Sequence, residues 1–153
     1  MLCVNKKNTK GFLMKTDKII EAIEVAEIGR NDPASPNDIS KVRVALKMAK
    51  FPAMPDEYEK ILMSFNGLSN DGPVLLGVEE GNNFFPNVAK YNKEFFKEFK
   101  ADFLILGYDD FYYMIFDETD KKYKLVDQDD FGEIIVSEEI DGPLAYLLHI
   151  DLL

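Results

Sequence analysis

The chain has 153 residues, 46% of them hydrophobic, with 12 Phe and 7 Tyr, which is enough apolar material for the core of one domain and excludes a disordered class. No apolar run approaches the roughly 18 residues a membrane-spanning helix needs, and the single cysteine, Cys3, excludes an internal disulfide framework and fits a reducing cytosol. A net charge of −10 repels nucleic acid and anionic membrane and speeds encounter with a basic protein.

Residues 1–15 include four lysines but no apolar segment of signal-peptide length, and read as a flexible extension ahead of one domain over residues 16–153. Thr16-Asp17 can cap a first helix, with Ile19, Ile20 and Ile23 around its turns, that runs to about Ile28 and is stopped by Gly29. A turn-rich link leads to Ser35, an N-cap followed by Pro36 at the first helical position. Ile39, Val42, Leu46 and Ala49 form the apolar stripe of that second helix, and Phe51-Pro52 breaks it. The segment Pro55 to Gly67 carries both ends of a third helix. Asp56 and Glu57 meet the positive end of its dipole. Tyr58, Ile61, Leu62 and Phe65 fall at i, i+3, i+4 and i+7 on one face, and Asn66-Gly67 supplies the left-handed close.

The run LSNDG at 68–72 is a polar turn, and Val74 to Val78 a short strand in which Gly77 signals a bulge or a close backbone approach. From Pro86 another helical pattern uses Val88, Tyr91 or Asn92, Phe95 and Phe99, with lysines and glutamates on the wet side. After Ala101 the period changes. Phe103 to Gly107, Phe111 to Phe116, Tyr123 to Val126 and Ile134 to Val136 are β-branched and aromatic runs separated by short Asp/Gly/Lys turns, the pattern of a meander. Ser137 can cap a final helix, interrupted by Gly142-Pro143, with Leu144, Leu147 and Leu148 as its apolar face. Helices mostly first and strands mostly together, without βαβ alternation, predict an α+β fold: an antiparallel β-meander sheet packed against helices.

Catalytic parts are few. His149, the only histidine, sits among Leu147, Leu148 and Ile150, a setting for packing or surface exposure more than for a general base. Cys3 has no base beside it. There is no phosphate-binding loop, dinucleotide fingerprint or zinc spacing, so no catalytic residue, cofactor or metal site is expected. Asp127, Asp129 and Asp130, with Glu133, superficially resemble a calcium loop, but the glycine and the distal bidentate glutamate are not at the required offsets. Asp109-Asp110 stands in a tight turn, where aspartate is common for backbone reasons. Phe111-Tyr112-Tyr113, with Phe116, offers rings for base stacking, yet strand alternation assigns one set to the core and the surrounding charge opposes nucleic acid. The acidity itself is unevenly placed: residues 1–30 sum to +2, residues 31–107 to −2 and residues 108–142 to −9, and Asp151 adds −1. A protein contact surface in the last third is the reading this placement favours, beside solubility alone.

The stretch MPDEYEKILMSFNG at 54–67 resembles the signature of the SUKH superfamily, in which a proline and an acidic-aromatic helix lead into an Asn-Gly pair. Asn92 sits where such proteins often carry an asparagine before the sheet. FLILGYDDFYYMIFD followed by YKLVDQDD is similar to the family's strand, turn, strand and third strand, and SEEIDGPLAYLLHI to its C-terminal helix. The resemblance spans Ser35 to Leu152, about three quarters of the chain. It implies a SUKH-like α+β domain whose bacterial members are mostly immunity proteins, which bind and neutralise toxin domains, often nucleases. The family shares no catalytic residues, so the resemblance implies a non-enzymatic protein without a cofactor.

The expectation is then a cytoplasmic immunity-type protein that occludes a basic toxin domain. Asp109, Asp110, Asp127, Asp129 and Asp130 would stand in for nucleic-acid phosphates at the toxin's cationic cleft, with Tyr108 and Tyr112 as aromatic anchors. Two other classes stay open: a regulatory or scaffold domain that binds a protein or a small ligand beside the sheet, and a metal-dependent hydrolase built on the acidic turns.

Overall fold

A computed structural model describes residues 16–82, 85–97 and 102–152. The expected extension over residues 1–15, with Cys3 in it, lies outside these residues, as does Phe99. Among the described residues seven strands form one antiparallel sheet in chain order: β1 (Gly29–Arg30), β2 (Leu68–Ser69), β3 (Val74–Leu75), β4 (Phe103–Tyr108), β5 (Tyr112–Asp117), β6 (Lys122–Asp127) and β7 (Glu133–Ser137). The helices are α1 (residues 16–25), α2 (Pro36–Met48), α3 (Asp56–Leu62), α4 (Val88–Phe95) and α5 (Asp141–Leu148). The fold is α+β, an antiparallel meander packed against helices, as the change of period after Ala101 predicts.

Register sorts the side chains of the meander between two faces. Leu104, Phe116 and Tyr123 lie opposite one another, as do Met114 and Leu125, and this face receives α5. The approach is close: a Cβ built on Gly107 would stand 3.0 Å from Leu147. On the other face Tyr113 meets Phe95 of α4 with ring centroids 5.2 Å apart, and Phe103 meets Phe96 at 5.3 Å.

Local signals explain most of the helices. Ser35 caps α2, its Oγ accepting the Asp38 N–H at 3.0 Å, and Ile39, Val42 and Leu46 are buried beneath that helix. In α3, Tyr58, Ile61 and Leu62 are wholly buried, and the apolar face continues past the helix end to Phe65. The Tyr58 hydroxyl donates to the carbonyl of Leu76, so this buried ring keeps its polar end satisfied. Glu59 is also buried, held by Arg43 of α2 through Nε at 2.8 Å and through Nη2.

Several boundaries differ from the sequence expectation. The first helix stops at residue 25 and does not reach Ile28, because Gly29 and Arg30 pair with Ser69 and Leu68. The Arg30 guanidinium then caps the helix by donating to the carbonyls of Ile23 and Glu24. LSNDG is not all turn: Leu68 is buried and Leu68–Ser69 is a strand between β1 and β3. The third helix spans Asp56–Leu62, with Pro55 as its N-cap residue and Met63 as its C-cap, so it ends before Asn66-Gly67 and is not closed by that pair. The strand from Val74 ends at Leu75, after which Leu76 N–H donates to Leu106 O and Gly77 bridges to Asn87. Ser137 closes β7, its Oγ accepting the Glu139 N–H, and α5 begins at Asp141. Gly142-Pro143 therefore lie in the first turn of α5, where the missing N–H of proline has no helical partner to lose.

One further expectation holds in detail. At Gly77 a Cβ would lie 2.7 Å from both the carbonyl and the side-chain oxygen of Asn66, which is the close approach that glycine signals. Asn92, fully buried on α4, completes the exposed edge of β4. β3 pairs only with Gly107 and Tyr108, leaving the Ile105 peptide without a strand beside it. The Asn92 carboxamide accepts the Ile105 N–H at 2.8 Å and donates to the Ile105 carbonyl at 2.9 Å, and also to Val88 O at 2.8 Å. A carboxamide carries one acceptor and two donors, so it can pair as a neighbouring strand would.

A candidate docking surface at the acidic end of the sheet

Antiparallel connections place alternate turns at the same end. Val74 lies opposite Tyr108 and Tyr112 opposite Asp127, so the β2–β3, β4–β5 and β6–β7 turns share one end of the meander. That end holds all five carboxylates singled out in the sequence, Asp109, Asp110, Asp127, Asp129 and Asp130, together with Asp71 from the β2–β3 turn. Asp110, Asp129 and Asp130 are exposed, Asp109 and Asp127 half-buried.

Their turns are tightly held. Asp109 Oδ1 accepts the N–H groups of Phe111 and Tyr112, each at 2.7 Å. Asp127 Oδ1 accepts the Asp129 N–H at 2.8 Å, and Asp130 Oδ1 the Gly132 N–H at 2.8 Å. Gln128 joins the two turns: its Nε2 donates to Asp109 O at 2.6 Å and its N–H to Phe111 O at 3.0 Å. Phe131 pins the second turn from beneath. It takes a left-handed φ of 58° and lays its ring against Phe103 and Tyr113, with centroids 5.6 and 5.7 Å away. The aspartates thus serve the turns, as their residue type predicts, and each of the three that does so keeps its second oxygen clear of these bonds.

The opposite end of the meander carries lysines among its carboxylates. There Lys124, 7% exposed, sets its Nζ 3.0 Å from Asp117 and 2.8 Å from Asp120, and also reaches Glu133 at 2.8 Å, which opens β7 on the side of the first end; Lys121 pairs with Glu118. At the first end none of Asp71, Asp109, Asp110, Asp127, Asp129 or Asp130 forms an ion pair among the described residues. The two ends therefore differ in pairing: ion pairs partly compensate the carboxylates of one, and those of the other have none among the described residues.

The two expected anchors lie on opposite faces. Tyr108 stacks on Tyr91 at 5.1 Å and 11°, half-buried toward α4, and burial pushes its hydroxyl pKa up. Tyr112, also half-buried, meets Tyr146 of α5 edge-on at 6.3 Å. The ring that stands out is Phe111, 68% exposed. Sequence alternation puts Phe111 inside a strand. The strand begins at Tyr112 instead, and Phe111 forms the tip of the turn. Gln128 is the residue of this end that the sequence reading passes over, and Phe111, read as a strand residue and weighed for base stacking, is the one it misplaces; a large apolar residue between two aspartates and a strand start was the available signal.

A second feature is a cleft of about 740 Å³ between α2 and α4, with Val42, Ala45, Val78 and Ala89 along its floor and Lys41 and Lys90 at its sides. Among the described residues no group of three His, Cys, Asp or Glu side chains is arranged to hold a metal ion, and no helix is long and apolar enough to cross a membrane. No family model matches the chain, and no curated protein matches it.

Proposed function

We propose that this chain is an immunity-type protein, SUKH-like in kind, that binds a basic toxin domain in the cytoplasm and neutralises it by occlusion, breaking no bond itself. The observation that carries this reading is the end of the sheet that gathers Asp109, Asp110, Asp127, Asp129 and Asp130 on two bonded turns, with no ion pair among the described residues. Fixed carboxylates can occupy the positions of nucleic-acid phosphates in a cationic cleft, and their field accelerates encounter with it.

The test is growth protection. Cells expressing the toxin-like product of a neighbouring reading frame should survive when this chain is co-expressed, and the two should co-purify. Reversing Asp110, Asp129 and Asp130 to Lys should slow association about tenfold or more at low salt and flatten its salt dependence. Reversing Glu21, Glu24 and Glu27 to Lys changes the net charge equally and should leave binding intact. Equal losses in both triples would reduce the effect to net charge and remove the surface assignment.

The 740 Å³ cleft favours a second reading, a regulatory or scaffold domain that takes a small ligand between α2 and α4. A gene with no toxin-like neighbour, and a ligand that raises the melting temperature and shifts Ala45 and Ala89 resonances, would favour it over the first.

A further inference from the structure

We infer that Phe111 is the anchoring side chain of the acidic end, and that the surface it fits is a basic protein with an apolar recess rimmed by Lys and Arg. The inference takes its partner from the immunity reading, but its evidence is separate. Phe111 is the most exposed aromatic side chain among the described residues, at 68%. The turn does not need a phenylalanine: it uses the residue's N–H, bound by Asp109 Oδ1 at 2.7 Å, and its carbonyl, bound by the Gln128 N–H at 3.0 Å. Those are main-chain contacts that other residues would make. The ring meets the Tyr112 ring edge-on, with centroids 6.4 Å apart, but most of it faces water, where it forgoes the free energy of burial. Because its backbone is bonded on both sides, the ring stands on a frame that is ordered before any partner arrives, which lowers the entropy cost of docking.

Charge selects the occupant. The turn of Phe111 lies beside Asp109, Asp110, Asp127, Asp129 and Asp130, which no cation among the described residues neutralises. A second copy docked through this end would press the same carboxylates together, and nucleic acid or anionic lipid carries the same sign. A basic protein complements it. An aromatic ring inside a charged rim is the arrangement in which the ring supplies most of the affinity and the charges supply the rate.

Two probes separate this inference from the immunity reading. The first is a pair of peptides of equal length and charge, one alternating Lys and Leu, the other Lys and Ser. The wild-type chain should bind the Lys–Leu peptide several-fold more tightly, with shifts at Phe111, and Phe111→Ala should erase that preference. Asp129→Lys/Asp130→Lys should weaken both peptides alike. The second probe is the toxin domain itself. Phe111→Ala should weaken it about 30-fold or more, mainly through faster dissociation, while Phe111→Trp keeps it. The exposed turn site leaves the melting temperature unchanged. If Phe111→Ala binds the toxin domain as the wild type does, the anchor is overturned and the immunity reading stands. If the wild type does not bind the toxin domain, that reading falls and the peptides decide the anchor: a Lys–Leu preference lost in Phe111→Ala keeps it, and no preference overturns it.

Discussion

The side chain of Gln128 bridges two turns of the sheet, its Nε2 2.6 Å from the carbonyl oxygen of Asp109 and 3.2 Å from that of Tyr112. Two half-buried carbonyls thereby share one amide donor, and the acidic end becomes one body instead of two loops. Gln128→Ala should cost about 1 kcal/mol, the net worth of such bonds. Hydrogen exchange should rise at Phe111 and across 129–131 while Met114 and Leu125 in the strand centres stay protected. Unchanged exchange at the turns would mean that the Asp109 and Asp127 bonds hold them without the bridge.

How far this arrangement can be read from the sequence depends on the distance over which each signal acts. The cap at Ser35, the apolar face of α3 and the β runs after Ala101 are local, and each appears where its pattern lies. Strands β1 and β2 have two residues each and no period of their own; they exist because Gly29–Arg30 meets Leu68–Ser69 across the fold. Charge shows the same limit. Nothing local in the acidic third of the chain tells that Lys124 gathers carboxylates from β5, the next turn and β7, while the turns at the other end have no such partner among the described residues. The five singled-out aspartates meet because antiparallel turns alternate, which the meander pattern implies. Phe111 was misjudged by one residue of strand boundary, and a one-residue shift moves a side chain from a sheet face to a turn tip.

Asn92 supplies a sharper test of the fold. Two of its bonds replace a strand at the edge of β4, so Asn92→Leu leaves the Ile105 N–H and carbonyl without their partner. The loss should be about 3 kcal/mol or more, since each buried unsatisfied group costs roughly 1–3 kcal/mol. Asn92→Asp keeps the shape but turns both donors into acceptors in a buried site. Burial raises the folded pKa of that new carboxyl above its unfolded value, so the variant loses stability as pH rises between the two. Urea midpoints should therefore show the Asp variant closest to wild type near pH 4 and furthest from it at pH 7. A gap constant with pH would mean that the carboxyl finds water.

Lys124 tests the compensated end. Its ammonium holds the Asp120 carboxyl below its ordinary value, first through their hydrogen bond, and the three carboxylates hold Lys124 well above its own. A carboxyl depressed by folding contributes stability above its unfolded pKa and loses it as pH falls through the folded one. Lys124→Met keeps the buried stem and removes the charge. The variant should unfold at lower urea than wild type at pH 7, and the gap should narrow below about pH 4 as Asp120 takes up its proton. Identical midpoints at pH 7 would show that desolvation of Lys124 cancels its three ion pairs.

Glu57 has the opposite sign. Its carboxylate accepts a bond from the Thr16 hydroxyl at 3.2 Å and lies against Tyr123, the Ile140 backbone and Asp141. Burial pushes its pKa up and Asp141 adds to the shift, while the bonds from Thr16, Tyr123 and Ile140 pull part of it back. A carboxyl raised by folding takes a proton more readily in the native state, so its contribution is complete below the unfolded pKa and is lost as pH rises through the folded value. Glu57→Gln has no proton to lose. Against wild type, the variant should be least favoured near pH 4 and should gain steadily toward pH 7, read as the difference between two series of urea midpoints. The change should be confined to that window, because above it both chains carry a constant charge at this position. A difference that stays flat from pH 4 to 7 would show that Glu57 ionises alike in the folded and unfolded chains, and that Thr16, Tyr123 and Ile140 fully offset its burial.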